Sequence, residues 1–228
     1  MSIYVISDPH LAFSVDKPMN IFQGWQNHEK RLEENWLRLV KETDTVVLPG
    51  DISWGMTMPQ ALKDLQFLDS LPGQKIIIKG NHDYWWATRA KMDAFFAQNE
   101  ITTIRALYHD AVLVEGKAIC GTRSWFYEMD EPDEKVFRRE LGRLRMSLEE
   151  AAKLQAQEIL VFLHYPPIYQ NFRCEEIISL LKEYGVKRCY YGHLHGPSIA
   201  YSFQGESDGI AFKLISADSL SFVPYLIV

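Results

Sequence analysis

Short apolar runs alternate with longer amphipathic stretches through the first half of the chain. Ile3 to Ser7 is an apolar run that stops at Asp8. Residues 29–42 then place Leu32, Trp36, Leu39 and Val40 at the spacing of a helix with one buried face. Thr45 to Leu48 is β-branched and apolar, which predicts a buried strand ending at Pro49-Gly50-Asp51. Pro59 suits the first turn of a helix over 59–71, where a missing N–H costs no intrahelical bond. Lys75 to Lys79 predicts a third strand, ending at Gly80-Asn81-His82-Asp83. Strands alternating with helices imply a parallel sheet, and ligands of such sheets collect beyond the carboxyl ends of the strands. Asp8, Asp51 and Asn81 are therefore expected to meet.

The second half is richer in strand signals. It carries a hairpin about Glu115-Gly116, a charged helix from about Asp133 to Gln155, and the apolar run Ile159 to Leu163 ending at His164. A helix near Glu175 to Tyr184 leads to a strand over Arg188 to Tyr191, which ends at Gly192-His193-Leu194-His195-Gly196. Strands are expected over Ile199 to Phe203, Ile210 to Ser216 and Phe222 to Val228, with 204–209 as a turn. The class is mixed α/β (α+β), two sheets packed together with helices outside.

Length and composition fit one domain over 1–228, with 47% hydrophobic and 24% charged residues. The N-terminus lacks the basic stretch of a signal peptide, and no apolar run approaches the roughly 18 residues of a membrane span, so a cytoplasmic protein without membrane attachment is expected. Cys120, Cys174 and Cys189 have no paired spacing and read as reduced, packed thiols. A net charge of -6 argues against duplex nucleic acid as a partner.

Chemistry enters through five clusters, each closing an apolar run: Asp8-Pro9-His10, Gly50-Asp51, Gly80-Asn81-His82-Asp83, His164 and Gly192-His193-Leu194-His195-Gly196. They hold five of the seven histidines and read as a two-metal hydrolytic site. In an extended segment Asp8 and His10 would share a face, as would His193 and His195. Gly50, Gly80, Gly192 and Gly196 would permit tight backbone paths beside the ligands. Mixed carboxylate, amide and imidazole donors suit Mn²⁺, Fe or Zn²⁺ rather than the all-oxygen sets of Mg²⁺ or Ca²⁺. The donor set alone does not choose among these metals, of which manganese is put first.

In this order the blocks DxH, GD, GNH(D/E), H and GHxH resemble the calcineurin-like metallophosphoesterase superfamily, and they span residues 8–196. The resemblance implies a four-layer αββα sandwich and two divalent ions per chain. The first ion would be held by Asp8, His10, Asp51 and His195, and the second by Asp51, Asn81, His164 and His193, with Asp51 bridging. His82 carries over as the proton donor and Asp83 as the carboxylate that orients it. Two cations roughly 3.5 to 4 Å apart can hold a bridging hydroxide for in-line attack on phosphorus. The expected activity is hydrolysis of a phosphoester, a phosphodiester ahead of a phosphomonoester, in a small phosphorylated substrate, with nucleotide-like molecules among the candidates.

Two rivals have other sequence signatures. A metal-binding scaffold that has lost hydrolysis would not need His82 beside a complete ligand set, and a nuclease would call for a basic groove. Other residues bear on substrate. Arg123 could clamp a phosphate or form a structural ion pair. Residues 11–27, with Phe22 and Trp25, could wall the cleft or pack over the first helix. Tyr84, Trp85 and Trp86 read first as core, with base stacking as the alternative. Trp54 stands where many members of the family carry a polar residue. Arg138, Arg139, Arg143 and Arg145 with Glu140, Glu149 and Glu150 read as a salt-linked helix face. His28 and His109 match no block and read as surface or packing residues.

Overall fold

A computed structural model describes residues 1–125 and 134–227. The first half runs β1 (Ile3–Val5), α1 (His28–Leu39), β2 (Thr45–Pro49), α2 (Met58–Ser70), β3 (Gln74–Ile78), α3 (Arg89–Gln98) and β4 (Ile104–Ala106). The second runs β5 (Ala111–Val114), β6 (Lys117–Thr122), α4 (Glu134–Lys153), β7 (Glu158–Leu163), β8 (Ile168–Tyr169), β9 (Phe172–Arg173), α5 (Glu175–Glu183), β10 (Arg188–Tyr191), β11 (Gly205–Ser207), β12 (Ile210–Leu214) and β13 (Tyr225–Leu226). One sheet has the order β13-β1-β2-β3-β4 and the other β11-β12-β10-β7-β6-β5. β1 to β4 are parallel neighbours, and so are β6, β7, β10 and β12. The antiparallel pairs lie at the margins.

Continuous apolar strands arise because both faces of each sheet are covered. Side chains alternate between two layers of core. Tyr4, Val46, Leu48 and Ile77 pack with Leu32 and Trp36 of α1, Leu65 and Leu68 of α2, and Met92 and Phe96 of α3. Their neighbours Ile3, Val5, Val47, Ile76 and Ile78 face Ile119, Leu160, Phe162 and Tyr190 across the space between the sheets. Val161, Leu163, Cys189 and Tyr191 point outward to Leu144 and Leu148 of α4 and Ile177 and Leu181 of α5. The result is the expected four-layer αββα sandwich.

Hydrogen bonds tie the carboxyl ends of the two sheets together. The Ser7 N–H donates to the Ile215 carbonyl at 2.8 Å, and the Ala217 N–H returns to the Ser7 carbonyl at 2.8 Å. Within the second sheet, Gly192 donates to His164 and His164 to Thr122, each at 3.1 Å. The loops leaving β1, β2, β3, β7 and β10 therefore share one end of the sandwich.

Several expected elements differ. Residues 196–201 form a 3-10 helix rather than a strand from Ile199, with Pro197, which has no N–H for a ladder, in its first turn. The last strand shortens to Tyr225–Leu226, and Val228 lies outside the described residues. The charged helix begins, among the described residues, at Glu134, and Asp133 lies outside them. α3 and β4 were not anticipated. All three cysteines are buried and free. No helix among the described residues is long and apolar enough to cross a membrane.

Candidate metal centre

Strand alternation is not what gathers the ligands, contrary to expectation. Asp8, His10, Asp51 and His193 all have positive φ, from 46° to 71°, so the chain turns sharply at each strand end instead of staying extended. Left-handed backbone at a non-glycine residue costs on the order of 1–3 kcal/mol and persists where surrounding bonds over-determine it. Those bonds are present. His10 and Leu11 donate to the carbonyls of Asp51 and Ile52 at 3.1 and 3.0 Å, and the His193 N–H reaches both Asp8 carboxylate oxygens at 3.0 and 3.1 Å. A Cβ at Gly80 would run into the Asp51 carboxylate, and one at Gly192 into Asp8 and Ser7. Gly196, by contrast, has open space around its Cα, so crowding is not what its position requires.

Asp83 is wholly buried at the end of the Gly80-Asn81-His82-Asp83 turn. Its buried carboxylate accepts N–H bonds from Asp51 at 2.9 Å, Ile52 at 2.9 Å, Ser53 at 3.3 Å, Gly80 at 2.8 Å and the Trp85 indole at 3.0 Å. Through these bonds Asp83 holds the Gly50-Asp51 and Gly80-Asn81 loops against each other. Burial pushes its pKa up in spite of them.

The side chains converge on Asp51. Its Oδ2 lies 3.7 Å from His10 Nε2 and 3.5 Å from His164 Nε2, and its Oδ1 accepts the His82 N–H at 2.8 Å. On one side Asp8 Oδ1 and His10 Nε2 each lie 3.3 Å from His195 Nε2. On the other, Asn81 Oδ1 lies 2.6 Å from His164 Nε2 and 3.1 Å from His193 Nδ1. The tautomers of two rings follow from their outer partners. The Pro49 carbonyl can only accept, so His164 Nδ1 donates to it at 3.1 Å and Nε2 keeps its lone pair toward Asn81 and Asp51. Asp218 Oδ1 takes His195 Nδ1 at 2.9 Å, leaving that ring's Nε2 toward Asp8 and His10.

Charge balance within the protein is incomplete. Burial pushes the Asp51 carboxyl well above the usual range, and the charges of Asp8 and Asp83 add to the effect. Burial would also raise Asp8, but the imidazoles of His195 and His164 outweigh it and hold that carboxyl low. Burial lowers His164 to about 3, so its ring is neutral. Burial alone would lower His195, yet Asp8 and Asp218 raise it to about 10. Among the described residues the ion-pair partners of Asp8 and Asp51 are all imidazoles. Asp8, His10 and His195, and likewise Asp8, Asp51 and His164, bring ligand atoms within 4.8 Å of one another. Buried carboxylates facing imidazole nitrogens, with no lysine or arginine paired to them among the described residues, fit divalent cations of borderline hardness, which would displace the His195 proton.

An apolar cleft of about 590 Å³ opens on the His10 and His195 side. Met19, Phe22 and Trp25 line it, so residues 11–27 both wall the cleft and pack. Trp25 is buried, with its ring 5.7 Å from His10 and 5.5 Å from His195. Trp54 stacks on His10 at 4.9 Å and lies 4.4 Å from His82, filling the gap between the two rings. Trp85 is buried against Asp83, whereas Tyr84 is exposed and lies 6.3 Å from His82. Arg123 does not line this cleft. It pairs with buried Glu140 at 3.1 Å in a neighbouring pocket. Elsewhere on α4, Arg138 pairs with Glu134 and Arg145 with Glu183. His28 is buried beside Trp25 and Phe222, and His109 is half-buried. Sequence reasoning missed Asp218, which carried no motif signal because its contact with His195 depends on the pairing of Ser7 with Ala217.

A model of the calcineurin-like phosphoesterase family matches residues 1–197. An uncharacterised protein of Methanocaldococcus jannaschii is 34% identical over 83 residues, 36% of this chain and 46% of that protein, so the match spans less than half the length of that relative. Among solved structures, phosphopantetheinyl hydrolase of Mycobacterium tuberculosis aligns with a TM-score of 0.58 at 14% identity, over 100% of this chain and 95% of that one. A protein of unknown function from Aquifex aeolicus aligns with a TM-score of 0.53 at 18% identity, over 99% and 95%. At these identities the two structures speak to the fold alone.

Proposed function

We propose that this chain, which belongs to the calcineurin-like phosphoesterase family, is a metal-dependent phosphoester hydrolase that cleaves phosphodiesters with two divalent ions, Mn²⁺ first among the candidates. The position of Asp51 supports this most directly, since one carboxylate oxygen reaches both the His10 side and the His164 side of the cluster. Asp8, His10, Asp51 and His195 would hold the first ion, and Asp51, Asn81, His164 and His193 the second. When bound, such a pair acidifies water and neutralises charge on the phosphoryl oxygens. The protein's own groups do the rest. Pro49 fixes the His164 tautomer with its lone pair inward, and Asp218 orients the His195 ring, whose Nε2 would give up its proton when an ion binds. His82, held by its backbone bond to Asp51 and by the face of Trp54, lines the cleft beside the cluster. From there its imidazole gives a proton to the leaving oxygen as the P–O bond breaks. The apolar cleft beyond His10 excludes water from one arm of the ester and receives that arm.

The test is the initial hydrolysis rate of metal-stripped protein on a generic phosphodiester and a generic phosphomonoester as Mn²⁺ is added, with Asp51→Asn alongside. Mn²⁺-dependent turnover, faster on the diester and absent from the variant, is the expected result. Turnover by Asp51→Asn with undiminished metal content would overturn the bridging role.

A further inference from the structure

A second cavity, of about 390 Å³, lies on the flank where the ends of β3 and β6 meet the start of α3. Lys79, Lys91, Arg123 and Arg143 line it, and among the described residues Glu140 is the one carboxylate that does. That carboxylate is already engaged, because Glu140 is buried and its Oε1 accepts from Arg123 at 3.1 Å and from Arg143 at 2.5 Å. Among the described residues one negative charge does not balance four cations around one hollow, so their side chains give the cavity a positive field. α3 adds to it. The N-cap Thr88 makes no side-chain capping bond and the first turn holds no acid, so the positive end of the helix is open to an outside anion. Two buried groups lack a partner among the described residues: the hydroxyl of Thr122, which is 3% exposed, and Arg123 Nε. Both residues line the cavity. Burial, and then the Arg143 charge, hold His109 in the same wall below its ordinary pKa.

The cavity shares backbone with the metal cluster. Lys79 precedes Asn81 by two residues, and the carbonyls of Thr122 and Arg123 accept the N–H groups of His164 and Tyr165 at 3.1 and 3.0 Å. We propose that this pocket is an anion subsite that holds a second phosphate group of the substrate while the scissile ester lies at the metal cluster. The inference rests on the hydrolase reading and narrows its substrate to a molecule with a second phosphate on one arm and an apolar group on the other, the latter directed to the Trp54 cleft.

Two measurements test it. Inorganic phosphate is titrated calorimetrically into metal-stripped protein, where the metal cluster cannot hold it. Lys91→Glu is the variant, because Lys91 is exposed on α3 and its replacement leaves the core intact, which circular dichroism checks. Phosphate affinity is expected to fall tenfold or more in the variant, and equal affinity overturns the subsite. With Mn²⁺ restored, kcat/KM is compared for a diester bearing a terminal phosphate on one arm and the same diester without it. The ratio is expected to fall tenfold or more in Lys91→Glu. An unchanged ratio alongside weakened phosphate binding overturns the substrate role and leaves a site for a free anion. Failure to hydrolyse either ester, with phosphate binding intact in the unaltered protein, strikes the hydrolase reading instead.

Discussion

At the scale of single residues, neighbours in sequence do opposite work. His82 presents its ring to the cleft, while Asp83 turns inward to five N–H donors. His82→Ala is expected to lower kcat by about 10²–10⁴ with bound metal retained and stability changed by about 1 kcal/mol, because a half-buried ring is lost. Metal analysis of the purified variant checks this, and loss of metal would make His82 a ligand. Asp83→Asn turns one acceptor into a donor against N–H groups that already point at it. It is expected to cost about 2 kcal/mol or more in urea unfolding, since buried donors are left unpaired next to a lost charge. GNHD names the residue types at this turn, but not the bonds that Asp83 makes there. A motif specifies residue types, whereas three of the five donors to Asp83 are backbone groups of a loop some thirty residues away.

At the scale of elements, apolar runs marked the central strands correctly because strands covered on both faces carry no polar alternation to obscure them. Short and edge elements were harder. α3 buries only Met92 and Phe96, too few to show a period, and residues 199–203 alternate like a strand although Gly196-Pro197 starts a 3-10 helix just before them. β3 holds a less visible feature in Lys75, whose Nζ is buried between the end of α2 and the segment before β4, donating to the Leu71 carbonyl and to Thr103 Oγ1 at 3.0 Å. Burial lowers its pKa from 10.5 to about 8. Between those values the unfolded chain binds the proton that the native state has released, so the Lys75 contribution to stability rises with pH through that window. Relative to Lys75→Met, the unaltered protein should therefore gain unfolding free energy from pH 8 to 10.5. A stability difference that stays flat across this range would mean that Lys75 keeps an ordinary pKa in the fold.

At the scale of the whole molecule, the metal centre sits where two sheets meet. Asp8, His10, Asp51 and Asn81 follow strands of one sheet, and His164, His193 and His195 follow strands of the other. Without cations, Asp51 is buried near Asp8 and Asp83, a like-charge arrangement that opposes folding. Ions bound there would remove that penalty and couple the sheets, and ligands that bind only the native state stabilise it by about 2.7 kcal/mol at a hundredfold excess over Kd. For a chain of 228 residues that corresponds to a rise of about 5–10 °C in Tm when Mn²⁺ is restored to stripped protein. Asp51→Asn separates coupling through the site from a general salt effect. The amide keeps an Oδ1 for the His82 N–H but removes the buried charge, so the metal-free variant should unfold at the same temperature as the metal-free parent or above it. Adding Mn²⁺ should then move the parent and leave the variant where it was. Equal shifts in both proteins would place the stabilising ions elsewhere on the surface, because a salt effect does not depend on one carboxylate between the sheets.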